Sequence, residues 1–542
     1  MNMGIVRKVF LITMLLAYSL LAGCEELAKT GAGKKELTPD IKLGATIGSI
    51  TDVIAPESLA VEGYGLVGGL NGTGSSECPP QVRAYLKRYI LTQLADQQIN
   101  TDKLIDSPNT AVVLIEGVLP VVPSKNQYFD VKVTALTGTR TTSLEGGWLY
   151  GAELKAAGNF GIATRTIADA DGPIFIDKIG EPGVDKRTGF ILAGGRVLDD
   201  YTIALVFRKP DYQSTSDVRN RLNELFGEGT ARAVSPGRIE LTVPDKYKNQ
   251  KEKFVAIIKA TYLNEMPEIT QQRISTFIRT LAASENKEAS EIALEAIGNE
   301  SLSKLSVLLN SSDEQVRLRA ARCMLNLGSN AGKDTLREIA MNGSSGYRVE
   351  ALEAIITGTN RNEASAIGRK LLRDNDFEVS LAAYEQLRKL DDIAITGEFI
   401  GRSFFLEQIS QTQHKAIFVS RSGQPRIVLF GAPILCRGNI FVQSESGNVI
   451  INAPAGQKYV SLIRKHPKRP NVMVNLKSSF ELADIIRKLC EEPTTKGEEG
   501  RRGMGVSYAE MIVLLKQMCD KGGIRADFRA GPLPKISTGI KK

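Results

Sequence analysis

The sequence predicts two α+β regions separated by an inserted all-α repeat module, and three observations carry that reading. Strand patterns mixed with amphipathic helices run from about Ile41 to Pro267. From about Ile269 to Asp392 the apolar period is purely helical and recurs every 31 residues. Strands return from about Ile393, and two helices close the chain. At 542 residues the chain is long enough for three or four compact units. Hydrophobic residues make up 42% and charged ones 24%, which is too apolar for a disordered chain. With two histidines (His414 and His466) and one tryptophan, there is little material for an imidazole metal centre or a Ser-His-Asp machine. A net charge of +8 is small for this length and does not call for nucleic acid.

The first element is an address. Arg7 and Lys8 precede a run from Val9 to Gly23 that is apolar except for Thr13 and Ser19. At about 1.5 Å per residue the run reaches roughly 22 Å, short of a bilayer core of about 30 Å, which is signal-peptide anatomy. It ends Leu21-Ala22-Gly23-Cys24, similar to a bacterial lipobox, so residues 1–24 are read as a lipoprotein signal with Cys24 as the lipid attachment site. The competing reading is an ordinary signal peptide with a coincidental cysteine. Glu25 instead of Asp after Cys24 favours outer-membrane over inner-membrane sorting. Residues 25–40 lack periodicity and read as a tether. No later segment reaches 18 apolar residues, so a soluble body is expected. Cys78, Cys323, Cys436, Cys490 and Cys519 have no CxxC spacing, so no zinc site is expected, and one disulfide among the last three stays open.

The α+β region at 41–268 follows. Phe129, Val131, Val133 and Ala135 alternate with Asp130, Lys132 and Thr134 as a half-buried strand. Ala111 to Ile115 and Tyr201 to Phe207 read as more buried strands. Val82, Tyr85, Leu86 and Tyr89 form one helical stripe. Val218, Leu222, Leu225 and Phe226 form another, stopped by Gly227. Ile239, Leu241 and Val243 alternate, and Phe254, Ile257, Ile258 and Thr261 return to a helix.

Residues 269–392 carry the repeat. Ala289, Ala320, Ala351 and Ala382 are spaced by 31, as are Leu294, Leu325, Ile356 and Leu387, with Ala293, Met324 and Ile355 alongside. A small residue beside large aliphatics suits close helix pairs. The segment from Asp313 to Ala321 resembles the second helix of a HEAT-like repeat, although the period is shorter than usual for that class. A non-repeating bundle is the alternative. Such an array buries its core against its own neighbours and offers a face to a protein partner. It is therefore expected to need little from its host.

The C-terminal α+β region, 393–542, shows strands at Arg426 to Phe430, Ile440 to Gln443 and Val449 to Asn452. Ser478 with Glu481, and Ser507 with Glu510, read as capping boxes opening the two closing helices. Glu491 to Gly505 between them is a charged loop. From Ile400 to the end there are 23 Lys and Arg against 11 Asp and Glu, densest at Arg464-Lys465-His466-Pro467-Lys468-Arg469. In an exported protein such a patch meets cell-wall carboxylates, anionic lipid or an acidic protein surface, not nucleic acid.

Gly63-Tyr64-Gly65-Leu66-Val67-Gly68 fits GxGxxG, the mark of dinucleotide binding. The context fails, because no buried parallel strand precedes it and Gly69-Leu70-Asn71-Gly72-Thr73-Gly74 follows in place of a helix. No cofactor is predicted. Gly63, Gly65, Gly68, Gly69, Gly72 and Gly74 are read as structural, serving positive φ or close backbone approach in turns or at a subunit contact.

The whole stretch from Glu62 to Gly74 closely resembles the signature of the bacterial flagellar P-ring protein family. The resemblance continues through Phe129 to Leu136, Thr142 to Gly147, Arg208 to Tyr212 and Gly227 to Ala233. It resumes at Ser479 to Leu489 and Tyr508 to Asp527, which are similar to the family's last two helices. It implies ring-forming α+β domains, no catalytic residues, and a periplasmic ring of identical subunits acting as a passive bushing around the flagellar rod. Its implied partners are other copies of itself, the rod, the outer-membrane L-ring proteins and peptidoglycan. The lipobox and the helical insertion both depart from the family pattern. The rival readings are a periplasmic lipoprotein adaptor that reuses the fold at the cell wall, and a wall hydrolase, for which Asp169 and Asp171 lack acid/base spacing.

If Cys24 carries lipid, Cys24→Ser abolishes lipid labelling and leaves an unprocessed or mislocalised precursor. Normal processing with soluble release would establish a conventional signal peptide.

Overall fold

The computed structural model describes residues 43–536 except 55–57, 94–99, 159–164, 181–182, 264–265, 467–468 and 494–502. Cys24, the signal and the tether lie outside the described residues, as do parts of the Arg464–Arg469 cluster and of the Glu491–Gly505 loop.

The strands of the first region are β1 (Thr51–Ile54), β2 (Leu59–Gly68), β3 (Ala111–Leu119), β4 (Tyr128–Ala135), β5 (Trp148–Ala156), β6 (Ala168–Pro173), β7 (Thr188–Val197), β8 (Ile203–Phe207), β9 (Ala231–Ser235) and β10 (Arg238–Leu241). Six of them close into an antiparallel barrel in the order β2-β3-β4-β7-β6-β5. Strand alternation explains its filling: Phe129, Val131, Val133 and Ala135 are buried, while Asp130, Lys132 and Thr134 between them are half-buried. Their inward side chains meet Val61, Val113, Ile115, Leu149 and Leu154 from the neighbouring strands.

The other four strands form an antiparallel sheet, β1-β8-β10-β9. Helices Tyr212–Phe226 and Lys251–Ala260 cover it through Val218, Leu222, Phe254 and Ile258, packed on Leu205, Phe207 and Ile239. Asp211 caps the first of these helices by accepting from the Ser214 N–H, and Gly227, at φ +103°, ends it.

The helical segment runs Pro267–Ala283, Lys287–Ile297, Leu302–Leu308, Glu314–Asn326, Lys333–Met341, Arg348–Gly358, Arg361–Leu371 and Phe377–Lys389. The 31-residue step marks its interior: Ala293, Met324 and Ile355 are buried, as are Leu294, Leu325 and Leu387. The alanines are uneven, since Ala320 and Ala351 are buried but Ala289 is exposed. Polar contacts keep the same step. Arg322 donates to Glu291 at 2.6 Å, Asn326 Nδ2 to Glu295 at 2.8 Å, and Ser345 to Glu314 at 2.9 Å. Glu291 also receives Arg319 at 2.9 Å. Lys253 reaches Glu295 at 2.7 Å and so ties helix Lys251–Ala260 to the repeats. Burial pushes the Glu291 carboxyl up, but the hydrogen bond and charge of Arg322 outweigh it and hold the group ionised. Removing one member of such a buried set strands its partners, at about 3–5 kcal/mol.

The C-terminal strands are β11 (Thr396–Ile400), β12 (Phe404–Ile409), β13 (Ala416–Val419), β14 (Arg426–Phe430), β15 (Ile440–Gln443), β16 (Val449–Ala453), β17 (Val460–His466), β18 (Arg469–Ser478) and β19 (Asp527–Ala530). They make a mixed sheet β11-β12-β14-β13-β19 and an antiparallel sheet β15-β16-β17-β18. Only β14, β15 and β16 are legible in the sequence. The basic run read as a patch for acidic partners begins on β17, where Arg464 and Lys465 pair with Val474 and Met473 of β18.

Two expectations need correction. The helical segment does not bury its core against itself alone. Tyr384, Leu387 and Leu371 share one cluster with Ile409, Ala416, Phe418, Val428 and Phe430 of the mixed sheet. The sheet's other apolar residues, among them Leu406, Ile417 and Leu429, pack with helices Leu482–Cys490 and Tyr508–Asp520. The mixed sheet is therefore the middle layer between repeats and closing helices. A buried bond reinforces the contact: the Tyr384 hydroxyl donates to Glu407, which also receives Arg388 at 2.7 Å.

The first capping box is also different. Glu481 is the N-cap but makes no side-chain cap bond. Asp484 does the work three residues on, accepting from the Ser479 N–H at 2.8 Å, from the Ser478 and Ser479 hydroxyls, and from Lys488 at 3.0 Å. Ser507 does cap its helix through the Glu510 N–H.

Two outcomes follow. Deleting residues 269–392 bares the repeat-facing side of the mixed sheet, so the truncated protein is expected to aggregate, and native-like soluble yield and circular dichroism would refute the shared core. Burial alone would raise Asp484, yet the Ser479 N–H, Lys488 and the two serine hydroxyls bring it down to about 2. A carboxyl depressed in the folded state stabilises at neutral pH, and that contribution is lost as pH falls from the ordinary 3.8 to about 2. Asp484→Asn should remove about 1–2 kcal/mol at pH 7 and flatten the acid limb of a urea-midpoint profile in that window.

Candidate functional site

The glycine stretch is itself a barrel strand. Gly63, Gly65 and Gly68 lie in β2, between β3 and β5. This completes the case against a dinucleotide loop, because the strand is antiparallel to both neighbours. The glycines serve close approach. A Cβ on Gly63 would stand 2.2 Å from the Glu153 carbonyl oxygen, one on Gly68 2.5 Å from the Tyr150 hydroxyl, and one on Gly74 2.1 Å from the Thr110 carbonyl oxygen. At Gly65 the obstruction would be the ends of Leu149 and Ile115, at 2.7 and 2.8 Å. Pairing of β2 with β5 shifts register between Glu62 and Val67, so the close approach sits at an irregular seam.

Gly69 and Gly72, at φ +81° and +79°, turn the chain out of β2. The turn is stitched down on two sides. Leu70 N–H donates to the Asn109 carbonyl, Gly74 N–H to Pro108, and Ser75 N–H to Thr110. On the other side Thr142 N–H donates to the Thr73 carbonyl, and the Thr73 hydroxyl donates to Ser143 at 2.9 Å. The segments Glu62–Gly74 and Thr142–Gly147, far apart in sequence, are thus one structural unit.

Beside β2 and helix Pro80–Gln93 lies a cleft of about 490 Å³ lined by Tyr64, Tyr85, Arg88, Tyr89, Glu153 and Lys155. Tyr85 and Tyr89 stack with ring centroids 6.3 Å apart and planes 10° from parallel. The Tyr85 hydroxyl donates to Glu153 at 3.4 Å. Burial, followed by the nearby Glu153, Asp169 and Asp171 carboxylates, pushes the Tyr89 hydroxyl up to about 12, so it stays protonated. Asp169 is held by Arg196 at 3.1 Å, and Asp171 is raised first by burial and then by Asp169. Among the described residues no group of three His, Cys, Asp or Glu side chains could hold a metal ion.

Sequence reasoning missed the ties between barrel and C-terminal body. The Asp130 carboxylate accepts from the Ala193 N–H at 2.7 Å and from the Gly423 N–H at 2.8 Å. Arg421 Nη1 donates to Asp177 at 2.9 Å. Burial raises the Asp130 carboxyl although both N–H bonds oppose it. The available signal was a carboxylate, Asp130, on the half-buried strand of the Phe129–Leu136 motif. The other motif residues also have structural tasks: Arg208 holds Asp52 at 2.9 Å and the Ser49 carbonyl at 2.9 Å, while Asn223 brackets the Ala231 backbone.

Residues 46–274 match the family model described as flagellar P-ring protein. A flagellar P-ring protein of Anaeromyxobacter dehalogenans (strain 2CP-C) is 30% identical over 230 residues, 40% of this chain and 59% of that protein. One from Thermotoga maritima is 28% identical over 211 residues, 36% of this chain and 60% of that protein. One from Helicobacter pylori (strain G27) is 25% identical over 226 residues, 41% and 63% respectively. The chain thus spans about three fifths of the length of these curated relatives. Every signature segment between Glu62 and Ala233 falls inside the matched span, and over residues 46–274 this chain is similar to flagellar P-ring proteins.

Proposed function

We propose that this chain is a structural, non-catalytic subunit of the periplasmic P ring of a bacterial flagellar basal body. Copies assemble side by side around the rod, beneath the outer-membrane L ring and in contact with peptidoglycan, and the inner surface lets the rod turn without gripping it. The observation that carries this reading is the match over 46–274 together with the convergence of its two glycine-bearing segments on one barrel end. A bushing needs a stiff body, and a closed barrel without free edges supplies one. Lipid on Cys24 would hold the subunit at the outer membrane. The helical repeats, beyond the matched span for most of their length, would serve a protein partner.

Electron microscopy of basal bodies from a strain carrying an epitope-tagged copy tests the assignment. Label in the ring beneath the outer-membrane ring is expected, and motile cells with unlabelled basal bodies would overturn it. The glycines give a graded test. Gly63→Val must displace backbone at the β2–β5 seam, and overpacking of that kind costs about 1–3 kcal/mol or more. Gly72→Ala meets open space and only the positive-φ penalty, about 1–2 kcal/mol. Urea melts should rank Gly63→Val below Gly72→Ala, with ring assembly and swimming lost in the first, and added dinucleotide should alter neither.

A further inference from the structure

The outward face of β5 carries a row of aromatic residues that the bushing role does not use. Leu149, Ala152 and Leu154 face the barrel interior, so Trp148, Tyr150, Glu153 and Lys155 face out. Trp148, the chain's single tryptophan, and Tyr150 are each 48% exposed. Helix Pro80–Gln93 lays two more rings along the same line. The Tyr85 hydroxyl reaches Glu153, and the Tyr89 hydroxyl lies over Gly151, where a Cβ would stand 3.3 Å from it. Tyr150 in turn lies across Gly68 of β2. At about 3.3 Å per residue the row from Trp148 to Lys155 runs roughly 20 Å, and the cleft of Tyr64, Tyr85 and Tyr89 is its deep end.

The chemistry of the row selects a class of ligand. The ionisable groups lining the cleft balance, Glu62 and Glu153 against Arg88 and Lys155, so neither a phosphate-bearing nor a polycationic ligand is favoured. A bound peptide would need a free strand edge. β2 is paired with β3 and β5, and β5 with β2 and β6, so the barrel offers no edge here. An acyl chain would set hydrocarbon against the tyrosine hydroxyls and the exposed Arg88. A sugar ring fits both parts of the surface. Its flat C–H faces lie on aromatic rings, and its neutral hydroxyls and amides bond to Gln81, Arg88 and the tyrosine hydroxyls. Asp171, exposed near Tyr89, adds a hydroxyl acceptor at the side of the row.

We propose that the row from Trp148 to the tyrosine cleft is a binding track for a neutral carbohydrate strand, the glycan backbone of the cell wall. Trp148 and Tyr150 carry the strand along the barrel surface, and one sugar enters the cleft beside Tyr64, Tyr85 and Tyr89. The rings stand on paired strands and one helix, so little has to be ordered on binding. The inference rests on the periplasmic ring reading and deepens it, naming the side chains that meet peptidoglycan and the part of the polymer they meet.

The test uses the full chain, exported and purified in detergent. Its single tryptophan lies in the track, so Trp148 fluorescence reports occupancy directly. Titration with a soluble oligosaccharide of N-acetylglucosamine should give a saturable change, and Tyr64→Ala, Tyr89→Ala and Tyr150→Ala should each weaken binding about tenfold. Tyr128→Ala removes a 62% exposed ring from β4, with β7 and β6 between it and the track, and should leave binding unchanged. Circular dichroism should be the same in all four variants. Purified peptidoglycan should retain the chain in the same rank order and release it to the oligosaccharide. No fluorescence change, or equal affinity in the three track variants, overturns the track and leaves the ring reading standing. Oligosaccharide binding by a chain that labels outside the ring leaves the track standing and overturns the ring reading. Peptidoglycan retention that ignores both the track variants and the oligosaccharide places the contact on the stem peptides. Self-association lost in the track variants, without oligosaccharide binding, assigns the cleft to a neighbouring subunit. Either of these last two results makes the proposal wrong.

Discussion

The seam between β2 and β5 is the constraint on which the first region depends. A six-stranded barrel closes only if its first and last paired strands come into hydrogen-bonding range along an irregular register. At Gly63 the available gap to the Glu153 carbonyl is too small for any Cβ, so the residue type and the closure are the same fact. Closure then fixes the direction in which the chain leaves β2. The turn through Gly69 and Gly72 lands between Pro108–Thr110 and Thr142–Ser143 because the barrel has already brought those segments to one end. The tyrosine cleft follows too, since Tyr64 stands on the seam strand and Glu153 on its partner.

The mixed C-terminal sheet plays the corresponding part in the rest of the molecule. Its repeat-facing side meets Tyr384 and Leu387 and its other side meets Ile485, Ile486, Met511 and Leu515, so neither neighbour can be removed without exposing it. The charged contacts at its margins are partnered in kind. Glu407 is buried but receives both Tyr384 and Arg388, and Asp177 is met by Arg421. Buried ions of this sort specify one arrangement of layers more than they add net stability. Apolar burial holds the layers, and the ion pairs set their register.

Much of this was legible in the chain wherever one face of an element is wet. The alternation at Phe129–Ala135, the stripe at Val218–Phe226 and the 31-residue helical step all survive in the structure. The glycine stretch was legible as structural but not as a strand, because Gly63, Gly65 and Gly68 erase the side-chain alternation that announces one. The missed strands have a similar cause. β13 is buried at all four positions and shows no period, and β18 is exposed on both faces at Val472–Val474. The dependence of the repeats on the mixed sheet was illegible for another reason. Helical periodicity reveals an apolar face but not what covers it, and a last repeat with Tyr384 and Leu387 looks the same whether a further repeat or a sheet comes next.

The bond between Asp130 and the Gly423 N–H spans 293 residues, and that distance orders events during folding. A chain appearing from its N-terminus can pair β2 through β7 as soon as Val197 is available. Asp130 then has the Ala193 N–H but must keep water as its other partner through the growth of β8, the helical repeats and β12. Only when the β13–β14 turn arrives does the carboxylate exchange that water for backbone and become buried. β19 closes still later, pairing with β13 from more than a hundred residues downstream. Contacts of such separation are slow to form, since the loop-closure entropy precedes the reward. The barrel is thus the more local product of this chain, and its docking to the C-terminal body waits for Arg421 and Gly423.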